Sequence, residues 1–310
     1  MRNRSSLNRA LVTGATGFIG SHLVRYMEKQ GWDVHILART GSDLKVLGDV
    51  INLITVHRHD GTSTGMIEIM AAAKPDVVFH LASQFLSNHK TEDIERLVSS
   101  NLLFSTQLLE AMVMSGVINI VNVGTSWQHY HSEDYSPVNL YAATKQAFEC
   151  ILAYYIEAHG LKATTLLLFD TYGPNDPREK LIPLLWKVAI TRQPLMMSPG
   201  EQLIELVYVD DVVRAFVIAA EALTKTQTLG HTRYGVSANK PIRIIDLVKE
   251  FELVINDTLP IEFGQRPYRP REVMKPWSSH QRVPGWKPET QLKVGIANSR
   301  PAYLSNSNDC

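Results

Sequence analysis

Two groups of residues in this chain have the types and the spacing that a redox site requires. The segment Thr13–Gly20 reads TGATGFIG and follows a short apolar run. A glycine turn between a strand and a helix lets backbone N–H groups approach a pyrophosphate, which the helix N-terminus also attracts. Tyr141 precedes Lys145 by four residues, so a helix places both on one face, about one turn apart. A phenol beside a fixed cation can protonate a developing alkoxide. Together the two groups predict hydride transfer between a nicotinamide dinucleotide and a carbonyl or hydroxyl group.

The elements that must position these residues follow from the hydrophobic pattern, because apolar runs and amphipathic segments alternate through the first two thirds of the chain. The predicted strands are Leu11–Thr13, Val34–Leu37, Asp76–Ala82, Ile118–Val123 and Thr164–Phe169, with one more strand–helix unit over Leu206–Ala222. The predicted helices are Ile19–Gln30, Thr64–Ala73, Ile94–Met114 and Leu140–Ala158. This alternation predicts an α/β protein with a Rossmann-type, doubly wound parallel sheet.

Prolines become denser after residue 171, and the alternation weakens there. We therefore expect a smaller, mixed C-terminal substrate lobe beside the nucleotide-binding domain. The predicted boundaries assign residues 1–171 to the nucleotide-binding domain, to which 205–238 return. Residues 172–204 and 239–310 form the smaller lobe.

Polar residues and glycines follow the predicted strands, at the edge where a parallel sheet binds its ligands. They are Arg39 after strand two, Asp60 and Gly61 after a strand three that precedes them, Ser83 with its neighbour Ala82 after strand four, Thr125 and Ser126 after strand five, and Asp170 at the end of strand six. Scattered polar residues would not line up in this way, so the pattern predicts one site along the carboxyl ends of the strands.

Composition excludes several classes of function. Lys+Arg and Asp+Glu are balanced at 31 each, so no charge excess indicates a nucleic acid or membrane partner. The two cysteines and the polar opening segment at 1–6 predict a reduced, cytoplasmic protein without a disulfide framework. Two short histidine segments, HRH at 57–59 and HYH at 129–131, lack a third ligand at a suitable spacing, so we expect no metal.

The chain resembles the extended short-chain dehydrogenase/reductase family, which includes nucleotide-sugar epimerases, dehydratases and 4-ketoreductases. The shared motifs are TGATGFIG at 13–20, FHLAS at 79–83, Asn101 opening NLLFSTQLLE, Thr125, YAATK at 141–145, YGP at 172–174, YVDDV at 208–212 and GWKP at 285–288. Within the family, GEQL at 200–203 and IEFG at 261–264 are most similar to 4-ketoreductases of deoxysugar biosynthesis such as the CDP-paratose and CDP-abequose synthases.

The resemblance implies the roles of individual residues. Tyr141 is the expected general acid/base, Lys145 holds the nicotinamide ribose, and Thr125 donates to the substrate oxygen, where charge develops. The expected cofactor-binding residues include Tyr141 and Lys145. The others are Gly14, Thr16, Gly17, Phe18, Ile19, Arg39, Asp60, Gly61, Leu81, Ala82, Ser83 and Asn101. The expected residues for a nucleotide-diphosphate sugar are Ser126, Trp127, Gln128, Asp170, Asn175 and Arg269. The family also implies a homodimer through Ile94–Met114 and Leu140–Ala158.

The end of the second strand favours NADP(H) over NAD(H). NAD-preferring relatives place an acid there, whereas this chain has Ala38 followed by Arg39. A guanidinium without a competing carboxylate suits a 2′-phosphate.

The residues after Thr125 favour reduction over dehydration. Family dehydratases carry an Asp-Glu pair there, but this chain has Ser126 and Trp127, which cannot shuttle a proton as a carboxylic acid does. The expected reaction is NADPH-dependent reduction of the C4 ketone of a nucleotide-linked 4-keto-6-deoxy or 3,6-dideoxy hexose. Two alternatives stay open: a 4-epimerase with tightly bound NAD, and a non-catalytic NADP-binding sensor. Asp170 departs from the family, where asparagine is common.

Overall fold

The computed structural model describes residues 8–225 and 230–301. The polar opening segment at 1–6 and Cys310, which entered the expectation of a reduced cytoplasmic protein, lie outside these residues. Cys150, on a helix, is free and exposed.

Seven parallel strands form the central sheet in the spatial order β3-β2-β1-β4-β5-β6-β11. They are β1 (Arg9–Thr13), β2 (Asp33–Arg39), β3 (Thr55–His59), β4 (Val77–His80), β5 (Asn119–Thr125), β6 (Lys162–Leu168) and β11 (Gly230–Val236). Every residue of β4 and β6 is buried, as expected for strands that helices cover on both faces. The strand order reverses between β1 and β4, where such sheets open a ligand crevice.

Helices cover both faces of this sheet. The helices of the described residues, not all of which lie on the sheet, are α1 (Phe18–Lys29), α2 (Ser63–Ala73), α3 (Ile94–Val98), α4 (Phe104–Met114), α5 (Leu140–His159), α6 (Leu181–Thr191), α7 (Val209–Lys225), α8 (Ile244–Ile255) and α9 (Leu292–Asn298). Helices α1 and α7 pack together over one face, and α2, α4 and α5 over the other. The predicted Rossmann-type α/β fold is confirmed.

Two details differ from the sequence prediction. The single helix expected over 94–114 is α3 and α4 joined by a π-helical turn, Ser99–Leu103. The edge strand β11 was not predicted, because its pattern is only half-buried along most of its length. Short 3-10 turns lie at Lys45–Leu47, Ile51–Leu53, Thr91–Asp93, Ser126–Gln128 and Tyr130–Ser132.

Short strand pairs and a third apolar cluster build the region next to the sheet. The pairs are β7 (Asp170–Tyr172) with β10 (Leu206–Tyr208), β8 (Leu195–Met196) with β13 (Ile261–Glu262), and β9 (Leu203–Ile204) with β12 (Ile242–Arg243). The cluster includes Trp186 of α6, Phe251 of α8 and Ile296 of α9. It draws on the segments expected for the smaller lobe. The domain boundaries themselves stay a prediction.

One helical run among the described residues, Thr91–Met114, is long and apolar enough to cross a membrane by length and composition alone. Within the protein its α4 part packs against α2 and α5 in the layer over the sheet.

Candidate active site

The turn after β1 depends on glycine because the backbone there lies against the end of β4. Gly14 has a φ of +70°, and a Cβ on it would lie 2.6 Å from the Ala82 nitrogen. A Cβ on Gly20 would collide with the Gly14 carbonyl oxygen. Only glycine therefore lets the turn, the end of β4 and the first turn of α1 approach this closely.

The N-terminus of α1 offers free backbone donors to a cavity. Gly17 occupies the N-cap position and provides no side-chain cap for the helix N–H groups. These groups face a cavity of about 220 Å³, lined on this side by Gly14, Gly17, Phe18 and Ile19. Uncapped N–H groups at the positive end of a helix dipole suit a pyrophosphate.

The three expected catalytic residues line this same cavity. Thr125 is the last residue of β5. Tyr141 and Lys145 lie on the buried side of α5, which begins after Asn139, whose Oδ1 accepts from the Ala142 N–H at 2.9 Å. The end of β5 thus brings the Thr125 hydroxyl, and the buried face of α5 the Tyr141 phenol and the Lys145 ammonium, to the same cavity.

Burial sets the protonation of the phenol and the ammonium. It raises the pKa of Tyr141 to about 12, while the Arg178 guanidinium and the Ser83 hydroxyl lower that pKa. Burial lowers the pKa of Lys145 to about 8, and the Glu149 carboxylate opposes this shift. Tyr141 therefore carries its proton at neutral pH, as a group that must act first as an acid requires.

The loop after β4 completes the wall next to Tyr141. Leu81 and Ser83 line the cavity, and the Ala82 N–H donates to the Thr13 Oγ1 at 3.1 Å. Asn101 is buried behind this loop in the π-helical turn. Its Oδ1 accepts from the Gln84 N–H at 2.7 Å, and its Nδ2 donates to the Thr144 Oγ1 at 2.9 Å. Asn101 thus connects the loop to α5 and does not line the cavity where it was expected to touch the cofactor.

A smaller cavity of about 170 Å³ lies at the carboxyl ends of β2 and β3. Arg39 and Gly61 line it as expected, and Arg96 of α3 faces it from the opposite side. Asp60 does not line this cavity. Its Oδ1 accepts from both the N–H and the hydroxyl of Thr62 at 2.8 Å, so it orders the turn into α2. Those hydrogen bonds lower the pKa of the exposed Asp60 carboxyl.

A larger cavity of about 450 Å³ continues from the first, toward the C-terminal residues. Ser126, Trp127, Asp170 and Arg269 line it, as predicted for substrate residues. The Arg269 guanidinium lies 6.0 Å from the centre of the Trp127 ring and donates from its Nε to Glu272 at 3.0 Å. Asp170 does not end β6, as the sequence suggested, because it opens the separate strand β7 and pairs with β10.

Besides Asp60, Asn101 and Ala82, which do not line these cavities, three further expected contact residues lie outside them. Gln128 is 1% exposed and turns into the protein, where its Oε1 accepts from the Thr125 N–H at 2.9 Å. Asn175 is exposed at a turn with a φ of 59°, a conformation that asparagine tolerates. Thr16 is half-buried in the glycine turn. A sequence cannot reveal these orientations, because tertiary partners decide them.

The structure adds three residues to the site that the strand-end pattern did not select. Phe85 contacts the Tyr141 ring edge-on, with centroids 5.0 Å apart. Arg178 lies over Phe18, 4.5 Å from its ring centre, and is held by Asp176 at 2.7 Å. The Lys180 ammonium pairs with Asp170 at 2.9 Å. Arg178 and Lys180 follow the YGP segment at 172–174, which was the one signal that pointed toward them.

The model of the NAD dependent epimerase/dehydratase family matches residues 10–232, well over half of the chain. This chain belongs to that family. It is an enzyme of the extended short-chain dehydrogenase/reductase type and uses a nicotinamide dinucleotide.

Individual relatives fit this assignment. The CDP-abequose synthase of Salmonella typhimurium is 25% identical over 295 residues, covering 92% of this chain and 95% of that protein. The UDP-glucose 4-epimerase of Mycolicibacterium smegmatis is 28% identical, covering 96% and 99%. The structure of the Thermus thermophilus UDP-glucose 4-epimerase in complex with NAD is 25% identical, with a TM-score of 0.77, and covers 94% and 97%. The expected resemblance to CDP-abequose synthases is confirmed.

A nicotinamide dinucleotide fits the residues present. The uncapped start of α1 faces the first cavity, where a pyrophosphate would find backbone donors. Tyr141 and Lys145 lie across that cavity, where the nicotinamide ribose would be held. No three His, Cys, Asp or Glu side chains within 8–225 and 230–301 gather to hold a metal ion.

Proposed function

We propose that this enzyme reduces the C4 ketone of a nucleotide-linked 4-keto-6-deoxy or 3,6-dideoxy hexose with NADPH, as a step in deoxysugar biosynthesis. The observation that carries the proposal is the set of groups around the proton donor. Among the described residues that line the first cavity, Asp170 is the one carboxylate, and Lys180 neutralises it at 2.9 Å. An elimination needs an acid and a base besides Tyr141, whereas a ketone reduction needs only one proton and one hydride.

The chain's own residues fit the proton side of this reaction. The Thr125 Oγ1 accepts from the Trp127 N–H at 3.3 Å, which leaves its hydroxyl proton free to donate toward the C4 oxygen. The Tyr141 phenol, protonated by burial, supplies the proton that turns the C4 alkoxide into a hydroxyl. The Lys145 ammonium holds the ribose and favours the phenolate that remains. The nicotinamide, when bound, supplies the hydride.

The choice of NADPH rests on the end of β2. Ala38 is buried and carries no acid, and the Arg39 guanidinium faces the smaller cavity. The Arg58 Nη1 donates to the Arg39 carbonyl at 3.1 Å and to the Ser42 carbonyl at 3.0 Å, which orders the turn that carries Arg39. An arginine in a cavity whose described lining residues include no carboxylate favours a 2′-phosphate. The solved epimerase relative, by contrast, was crystallised with NAD.

A 4-epimerase is the second candidate, because a UDP-glucose 4-epimerase is 28% identical along nearly the whole chain. An epimerase keeps its cofactor and returns the hydride to the same sugar. It therefore consumes no NADPH, and it is purified with a nucleotide that denaturation releases.

One experiment separates the candidates. The purified protein is incubated with NADPH and 4-keto-6-deoxy sugars linked to CDP, dTDP, UDP or GDP, and products are followed by NMR. Stoichiometric NADPH oxidation with a new C4 hydroxyl is the expected result. C4 inversion of an intact nucleotide sugar without net oxidation would establish the epimerase. A 4-keto-6-deoxy product formed from CDP-glucose, dTDP-glucose or GDP-mannose would establish a dehydratase and overturn the proposal.

We also propose a homodimer through the outer sides of α3–α4 and α5. Large apolar side chains are exposed on both: Val98 and Leu103 on the first, and Tyr154 on the second. Light scattering coupled to gel filtration should give twice the chain mass of 34.8 kDa. A monomer at micromolar concentration contradicts this part of the proposal.

A further inference from the structure

A buried carboxylate lies behind the site, one helical turn beyond Lys145. Glu149 of α5 is 1% exposed. Its Oε1 accepts from the Gln128 Nε2 at 2.8 Å, and its Oε2 accepts from the Arg233 Nε of β11 at 2.7 Å. A buried charge is retained only where partners of this kind compensate its lost hydration. None of Glu149, Gln128 and Arg233 lines the cavities of about 220 and 450 Å³, so a ligand there would not touch them.

Gln128 connects this carboxylate to the strand end that carries Thr125. Its Oε1 accepts from the Thr125 N–H at 2.9 Å, while its Nε2 donates to Glu149 and to the Gln146 Oε1. Gly124, the residue before Thr125, has no side chain that could crowd the Gln128 amide. A Cβ at this position would lie only 3.0 Å from the Gln128 Oε1. The amide thus fixes the backbone at Thr125 relative to α5, which carries Tyr141 and Lys145.

Two cationic side chains, those of Lys145 and Arg233, interact with the single carboxylate of Glu149. Lys145 is buried on the same helix, and Arg233 reaches the carboxylate from the edge strand with its side chain about half exposed. The other titratable groups close by are neutral histidines. Burial lowers the pKa of His80 of β4, which faces Lys145, to about 3, and the pKa of His231 of β11, which faces Glu149, to about 4. Glu149 is therefore the anion for two cations.

We propose that Glu149 is a positioning residue for the active site: through Gln128 it holds the Thr125 backbone against α5, and it is the counter-ion that keeps the Lys145 ammonium charged. The inference rests on the proposed role of Lys145 only for its catalytic consequence. The geometry and the charge balance stand without any cofactor or substrate.

Substituting either partner of the Glu149–Arg233 ion pair should affect the pKa of Lys145 differently. Glu149→Gln keeps an acceptor for Gln128 but removes the carboxylate that lies one helical turn from Lys145 on α5, so the pKa of Lys145 falls. Arg233→Gln breaks the same 2.7 Å contact but leaves the carboxylate and removes a competing cation, so the pKa of Lys145 stays or rises. A purely structural ion pair would make the two variants behave alike.

The test is an NMR titration of the full chain without cofactor, with ¹³C at the lysine ε carbons. The Lys145 signal is assigned from its absence in Lys145→Arg. The expected result is a lower Lys145 midpoint in Glu149→Gln, a parental midpoint in Glu149→Asp, and an equal or higher midpoint in Arg233→Gln. An unchanged midpoint in Glu149→Gln, or a fall in Arg233→Gln, overturns the proposal. Should Glu149→Gln not fold, the direction in which the Lys145 midpoint moves in Arg233→Gln still tests the proposal.

The second arm follows the Thr125 amide. Gln128→Met keeps the side-chain length but removes the acceptor, so hydrogen exchange at the Thr125 N–H should accelerate by roughly 10-fold or more, about 1.4 kcal/mol. Unchanged exchange would refute the tether. Both arms need neither NADPH nor a sugar, so a failure of the proposed reduction leaves their outcome intact and distinguishable.

Discussion

Asp170 and Lys180 form an ion pair where the two large cavities, of about 220 and 450 Å³, meet. Their Oδ1 and Nζ atoms are 2.9 Å apart, and both side chains line both cavities. The ammonium lies 4.6 Å from the Phe85 ring centre and 5.1 Å from that of Trp127. Each partner is about one quarter exposed, so a ligand can reach the pair. The junction of the two cavities is therefore lined by the Phe85 and Trp127 rings and by one neutralised ion pair.

We expect Lys180→Met to raise the KM for the nucleotide sugar by roughly 10-fold, about 1.4 kcal/mol, because it leaves the Asp170 carboxylate unpaired beside the substrate. The affinity for NADPH should change little. Initial rates give the KM, and a fluorescence titration gives the cofactor Kd.

Lys180→Arg is the matched control, since it keeps the charge opposite Asp170. It should retain a KM within about 3-fold of the parent, well under 1 kcal/mol. A loss of NADPH affinity equal to the rise in KM would show that the pair belongs to the cofactor site instead.

The parts of this site that sequence could predict are those that local pattern determines. The glycine turn, Thr125 and the Tyr141–Lys145 pair lie on elements with clear periodicity, and parallel strands bring their carboxyl ends to one edge. The orientation of a polar side chain has no such local cause. Gln128 points toward Glu149, because that carboxylate, 21 residues later in the chain, accepts a hydrogen bond from its amide. Asp60 points toward Thr62, because the Thr62 N–H donates to its carboxylate.

Segments without periodicity were the other source of error. Asp170 lies in β7 rather than at the end of β6 because its partner is β10, about 35 residues later, and pairing at that range leaves no mark in the local pattern. Phe85 and Lys180 come from irregular segments whose course the tertiary contacts decide.

Arg39→Ala should raise the KM for NADPH by roughly 10-fold or more, about 1.4 kcal/mol or above, because the guanidinium is the proposed 2′-phosphate ligand. The KM for NADH, which lacks that phosphate, should change little in the same variant and serves as the internal control. Steady-state kinetics with both cofactors measure this. Equal KM values for NADPH and NADH in the parent enzyme would refute the proposed preference.

The protein should lose stability as the pH falls from 6.5 toward 3. Burial lowers the pKa of His80 from its usual 6.5 to about 3, so the unfolded chain binds a proton that the folded chain does not. The stabilisation is complete above pH 6.5 and declines by about 1.4 kcal/mol per pH unit until the folded-state pKa is reached. His231, with a pKa of about 4, adds a second proton of the same sign.

Urea unfolding at several pH values between 7 and 4 measures this slope. His80→Gln should make it shallower by about one proton, whatever the stability of the variant at pH 7. An unchanged slope in His80→Gln would mean that His80 is not held neutral in the folded protein.

Tyr141→Phe should lower the single-turnover rate of ketone reduction by roughly 100-fold or more, since general acid catalysis typically contributes about 10²–10⁴. The substitution keeps the ring, its edge-on contact with Phe85 at 5.0 Å and the helix, and removes only the hydroxyl. Rapid mixing of the enzyme–NADPH complex with a 4-keto nucleotide sugar measures the rate by the loss of NADPH absorbance.

The control is Tyr155→Phe on the same helix. That hydroxyl donates to the Glu110 Oε2 at 2.8 Å, away from both large cavities, so its loss should leave the rate near the parental value. Cofactor affinity, measured separately, should be similar in both variants. A Tyr141→Phe enzyme that reduces the ketone at a near-parental rate would exclude Tyr141 as the acid, and the proton would then have to come from another group that lines the cavity.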